Sequence, residues 1–215
     1  MRAYELIVFD WDGTLMDSTA LIAASLQSAC RDVGVVVPSD RDARFVIGLN
    51  LVDTMRHVAP GVDAATQQRL ADRYRYHFLA AKESPLFEGV PELLDVLRGQ
   101  GKRLAVATGK ARRGLQRALE STGLGPYFEA TRCADEGFAK PHPGMIHALL
   151  DCTGVDPECA VMVGDTTHDL ELAANAGIDA IAVLYGAHHP ELLDTRGAVA
   201  RCASVQELRR CLASE

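Results

Sequence analysis

The stretch LIVFDWDGTLMDS, residues 6–18, runs four apolar residues straight into two aspartates one residue apart. A short apolar run bounded by polar turn residues reads as a strand buried on both faces, as in a parallel sheet. Acidic residues are depleted in strands, so Asp10 and Asp12 at the end of one ask for a reason. Outward from this strand, the second half of the chain repeats the pattern. RLAVAT (103–108), AVMVGD (160–165) and DAIAVLYG (179–186) read as further buried strands. Between them lie helical stretches over 111–125, with a stop near Gly123 or Gly125, and over LELAANAG, stopping at Gly177. A last helix starts at Ser204, where Ser204 and Glu207 have capping-box spacing. Strands alternating with helices predict an α/β fold with a parallel sheet and right-handed crossovers.

Residues 18–84 break that rhythm. Four segments, STALIAASLQSACRDVG, DRDARFVIG, LVDTMRHVAP and DAATQQRLADRYRYHFLAA, carry helical periodicity with no strand between them. Roughly 65 residues is far beyond an ordinary strand-to-helix connection. The expectation is a helical-bundle cap domain (18–84) inserted into an α/β core (1–17 and 85–215), with Pro91 in the first turn of the helix that resumes the core.

Composition narrows the function. With 215 residues, 48% apolar and 24% charged, the chain reads as an ordinary soluble protein with a sizeable core. A net charge of -7 with no basic stripe argues against nucleic acid as a partner, and no apolar run approaches the length of a membrane span. The start MRAYELIVFD is too short an apolar run for a signal peptide, and six scattered cysteines without metal-ligand spacing suit a reducing cytoplasm, where we expect the protein.

Open α/β sheets bind ligands outside the carboxyl ends of their strands. There stand Asp10 and Asp12, then Thr108 and Gly109, then Asp165 with Asp169 four residues on, while Lys140 lies in the intervening FAKPHPG. Singly, each has an ordinary reading as a helix cap, a strand residue or a solvated side chain. Together, four carboxylates at one rim repel unless a cation sits among them, which asks for a hard, oxygen-held metal such as Mg²⁺.

FDWDGTL, VATGK, AKPHPGM and VGDTTHDLELAANAG resemble, in order, the four motifs of the haloacid dehalogenase superfamily, over residues 6 to about 177, with the insert where that family carries its C1-type cap. The closest resemblance is to its phosphoglycolate-phosphatase-like members. The resemblance implies a Rossmann-like core and hydrolysis of a small phosphorylated metabolite, 2-phosphoglycolate among the candidates, through an aspartyl-phosphate. By it Asp10 is the nucleophile and Asp12 the general acid/base. Gly13, Thr108, Gly109 and Lys140 bind the phosphoryl group or substrate, Lys140 also assisting catalysis. Asp10, the backbone carbonyl of Asp12 and Asp165 hold Mg²⁺, with Asp169 in support. The chemistry is consistent with extended-chain geometry, in which residues i and i+2 face the same way.

Asp12, Gly13 and Asp165 favour a phosphatase over a metal-free dehalogenase, and Thr14 favours it over a sugar-phosphate mutase; a mutase and a catalytically idle binding protein remain the alternatives. Gly109 stands where many relatives carry Asn, which puts one substrate hydrogen bond in doubt. Lys110 is read either as a pocket cation or as a solvated helix-start lysine, and Trp11 as a packed aromatic. His168, His188 and His189 are read as helix-surface and loop histidines. Arg44, Arg56, His57, Arg75 and Lys82 are the insert's cations within reach of an anionic leaving group, most of them expected on solvated helix faces. A monomer or homodimer is expected.

Overall fold

A computed structural model describes residues 4–193 and 197–213; residues 1–3, 194–196 and 214–215 of the expected core lie outside that description. Six strands are present: β1 (Leu6–Phe9), β2 (Arg103–Thr108), β3 (Ala130–Cys133), β4 (Ala160–Gly164), β5 (Asp179–Val183) and β6 (Ala200–Cys202). They form one sheet in the order β3-β2-β1-β4-β5-β6, every neighbouring pair parallel. This is the Rossmann-like order, with β1 at its centre.

β1 has no polar position because both of its faces are covered. Leu6 and Val8 join a cluster with Leu149 and Leu172, while Ile7 and Phe9 pack with Leu93, Leu97 and Leu208 on the other side. Those covering residues belong to α5 (Val90–Gly99), α7 (Gly144–Thr153), α8 (Thr167–Ala176) and, beyond the short α9 (Pro190–Leu193), α10 (Val205–Leu212). Pro91 falls in the first turn of α5. Ser204 caps α10 through Glu207 N, but the Glu207 carboxylate accepts from Ala203 N, so the expected capping box is only half formed.

The expected strand over 179–186 ends at Val183. Beyond it the backbone leaves the ladder so that Ala187 N can donate to the Asp165 carboxylate. β3 and β6 were not anticipated by apolar patterning, nor was α7.

Between β1 and α5 the chain forms α1 (Thr19–Val33), α2 (Asp40–Phe45), α3 (Leu51–Val58) and α4 (Ala64–Ala80). Ser39, Asn50 and Asp63 cap the last three with their side chains, and Gly34 ends α1. These helices bury a core of their own, including Leu26, Cys30, Val46, Met55 and Leu70. The chain leaves and rejoins the sheet at adjacent points, with Asp17 N bonded to Pro85 O and Phe87 N to Leu15 O. Among the described residues no helix is long and apolar enough to cross a membrane.

Candidate active site

β1 lies between β2 and β4, whose connections depart to opposite sides, so the crevice opens beyond its carboxyl end. There Asp10, Asp165 and Asp169 bring carboxylate oxygens within 4.8 Å of one another, all fully buried. Gly13, at φ +85, makes this packing possible: a Cβ there would stand 2.2 Å from Asp165 Oδ2.

Each acid has a different complement of partners. Asp165 accepts from Thr14 Oγ1 and from Ala187 N, both at 2.7 Å, which leaves lone pairs on both oxygens. Asp169 accepts from Thr166 N, Thr166 Oγ1 and Lys140 Nζ, the last at 2.6 Å. Lys140 also stands 2.8 Å from Asp10 Oδ1, yet neither Asp10 oxygen has a donor in hydrogen-bond alignment. Burial pushes Asp10 up to about 7, Lys140 opposing and Asp169 adding to it. Burial, then Asp10 and Asp169, hold Asp165 well above the usual carboxylate range. Burial works against the Lys140 charge, but the two neighbouring carboxylates outweigh it and keep the ammonium protonated beyond the ordinary lysine range.

This arrangement fits a divalent cation. The donor set is all oxygen, the Asp10 oxygens lack aligned donors, and three crowded buried carboxylates have one ammonium among them, paired with Asp10 and Asp169, a crowding that a cation would relieve. Asp10 and Asp165 have free lone pairs to offer. Asp169 is already occupied, and its geometry suits it to holding Lys140.

Asp12 departs from the expected four-acid cluster. Its side chain turns away from the other three, taking Lys110 Nζ at 2.7 and 2.9 Å and Ser18 Oγ at 2.7 Å. An ammonium and a hydroxyl draw it there more strongly than three like charges would allow it to stay. Lys110 is therefore a pocket cation, lying also 5.1 Å from the Phe78 ring centroid. Ser18 occupies the N-cap position of α1 but makes no capping bond, its hydroxyl serving Asp12 instead. Sequence reading passed over Ser18, and its cap-like spacing disguised it. Thr108 Oγ1, at the end of β2, accepts from Lys110 N. Trp11 is buried and packs edge-on to Phe128.

The insert lies directly over this rim. A Cβ on Gly109 would meet Gly48 O at 2.3 Å and Leu49 O at 2.7 Å. Gly109 is thus a point of backbone-to-backbone approach, which accounts for the absence of Asn. His168 and His188, read from sequence as surface residues, are buried, and the Nε2 atoms of both sit 2.9 Å from Phe45 O on the insert. The Phe45 ring stacks on His188 at 5.1 Å and meets His168 edge-on at 5.5 Å. Docking of the insert is what buries them; His189 stays exposed.

A cavity of about 430 Å³ between insert and core is lined by Asp10, Asp12, Thr108, Gly109 and Lys110 on one side. Of the insert's candidate cations only Arg75 lines it, already paired with Asp72. Arg44 bonds Asp40 and Thr19, Arg56 pairs with Asp53, His57 packs on Phe45, and Lys82 is exposed. Arg113 and Arg117, from α6 (Arg112–Thr122), also border the cavity and were not foreseen. No cysteine among the described residues is in a disulfide, and Cys152 is exposed.

Comparison with known proteins places the chain in a family. The "probable phosphatase IndB" of Dickeya dadantii is 37% identical over 87% of this chain and 84% of its own. The "tyrosine-protein kinase PtkA" of Mycobacterium tuberculosis is 34% identical over 97% of this chain and 72% of its own. The phosphoglycolate phosphatase of Agrobacterium fabrum is 31% identical, covering 84% and 81%. Among solved structures, that of a predicted phosphatase from Clostridium acetobutylicum superposes with a TM-score of 0.86 at 27% identity, covering 98% of this chain and 99% of the other. The haloacid dehalogenase-like hydrolase family matches residues 7–183, from the buried first strand to the end of β5, and the chain belongs to that family.

Proposed function

We propose that the protein is a Mg²⁺-dependent phosphatase that hydrolyses a small phosphorylated metabolite through an aspartyl-phosphate on Asp10. The observation that carries this is the Asp10 carboxylate: buried, without an aligned donor, and opening into the same cavity as Asp12. With a cation holding it ionised, a carboxylate so placed is positioned to attack phosphorus.

In this reading Asp10 attacks phosphorus and the bond to the leaving oxygen breaks. Asp12 gives that oxygen its proton, then takes one from the water that cleaves the acyl phosphate. Thr108 and the backbone amides of Trp11 and Asp12 hold the phosphoryl oxygens, and Lys140 supplies fixed positive charge beside Asp10. Asp10, Asp165 and the Asp12 carbonyl would hold Mg²⁺, with Asp169 in support through its hold on Lys140. Bound there, the ion supplies charge neutralisation and alignment of the phosphoryl group. The insert acts as a cap, excluding bulk water from the reacting groups.

The test is phosphate release from an aryl phosphate with and without Mg²⁺. Asp10→Asn should lose activity by on the order of 10³-fold or more, and EDTA should abolish it reversibly. Full activity in Asp10→Asn would sink the nucleophile assignment. Interconversion of sugar phosphates without net phosphate release would favour a mutase instead.

A further inference from the structure

The cavity above Asp10 and Asp12 has two ends of opposite chemistry. The phosphoryl end carries the acids, Thr108 and Lys110, whereas the end formed by the insert is almost entirely carbon. Leu26, Ile47, Leu49, Tyr74, Phe78 and Leu79 make up most of that second wall. The Tyr74 and Phe78 rings lie 5.8 Å apart at 28°, a broad flat surface on one face of α4. Among the described residues the Tyr74 hydroxyl makes no hydrogen bond, and burial, then Asp12, hold it neutral as a donor.

A two-carbon hydroxy acid does not suit such a wall. Beside the leaving oxygen Lys110 is held by Asp12, so the cations left to its carboxylate are Arg75, in an exposed pair with Asp72, and the rim arginines of α6. Arg113 and Arg117 are exposed on α6 at the border of the cavity. Most of the 430 Å³ would then hold water against apolar side chains. Pockets of this size and lining characteristically bury an apolar ligand body and fix it with a few polar groups.

Building on the phosphatase reading, we propose that the substrate's alcohol is a planar, apolar, ring-bearing group that packs against Tyr74, Phe78 and Leu49, so that esters of such alcohols are hydrolysed in preference to those of small hydroxy acids or polyols. The ring also fills the space over the reacting groups, coupling recognition to exclusion of water.

The experiment compares kcat/KM for 2-phenylethyl phosphate, 2-phosphoglycolate and glycerol 3-phosphate in Mg²⁺. All three are esters of primary alcohols with leaving alkoxides of comparable basicity, so differences report binding. Burying a phenyl ring predicts a preference of roughly thirtyfold for the phenylethyl ester. Leu49→Asn and Leu79→Asn should each lower that preference severalfold, chiefly through KM. Equal rates on all three esters, or a preference for 2-phosphoglycolate, would overturn the proposal while leaving a phosphatase in place. No phosphate release from any of the three esters, nor from an aryl phosphate, would overturn the phosphatase reading and this proposal with it.

Discussion

Gly109→Ala isolates the contact between insert and core with a single methyl group. The backbone of Gly109 lies outside the left-handed region, so alanine introduces no torsional strain of its own. Its Cβ, however, would stand 2.3 Å from Gly48 O, 2.6 Å from Gly48 C and 2.7 Å from Leu49 O. All three atoms are backbone, so no side-chain rotation relieves the overlap. Restoring an ordinary contact requires the 48–49 loop to withdraw by about 1 Å. Because Gly109 lines the same cavity as Asp10 and Asp12, that retreat opens the site where water must be kept out. A displacement of this size costs about 100-fold in rate, or about 2.7 kcal/mol of transition-state stabilisation.

The assay is kcat/KM for phosphate release beside thermal unfolding of the same preparations. We expect the rate to fall about 100-fold while the melting temperature moves by only a few degrees, because the insert swings outward and each hydrophobic core stays intact. Gly109→Asn should do the same or more. Unchanged kcat/KM in Gly109→Ala would mean that the loop does not rest on Gly109 during turnover, and the closed arrangement would lose its catalytic meaning.

Three further outcomes follow from the same geometry. Asp165→Asn removes one of three crowded buried carboxylates, so in EDTA the variant should be more stable than the parent by about 1–2 kcal/mol by chemical denaturation, yet inactive in Mg²⁺; a destabilised variant would argue against charge crowding. Phe45→Ala deletes the ring stacked on His188 and should loosen the insert by about 1 kcal/mol, read as faster proteolysis near residues 15–18 and 84–88. Ser18→Ala strips Asp12 of a 2.7 Å hydroxyl donor and should lower kcat roughly tenfold without changing KM; a rise in KM alone would reassign Ser18 to binding.

How much of this was legible beforehand depended on whether a residue's role was fixed locally. β1, β4 and the Leu104–Ala107 centre of β2 are apolar runs because they are buried on both faces, and such runs announce themselves. β3 does not: in Ala130–Cys133 the two inner residues are half-exposed and polar, so neither alternation nor a continuous apolar run marks it. His168 and His188 were misread for a different reason. Their burial comes from Phe45, 123 and 143 residues away in sequence, and no local pattern on α8 or after β5 records a partner on the insert. Gly109 was noticed only as a missing Asn, since a close backbone approach leaves no positive trace in a sequence.

The same contrast separates the two ends of the cavity. At the phosphoryl end charge must balance within a few ångströms without water, which restricts each position to one residue type. Lys140 must be a cation because Asp10 and Asp169 both face it, and Gly13 must lack a side chain because Asp165 fills that space. At the insert's end the requirement is only carbon of suitable volume, and Leu, Ile, Phe or Met satisfy it with little distinction. An electrostatic site therefore writes itself into sequence one residue at a time, whereas an apolar wall is specified collectively and becomes visible only when α1 and α4 are folded over β1. The reaction could be inferred from motifs for this reason, while the character of the leaving group had to wait for the cavity.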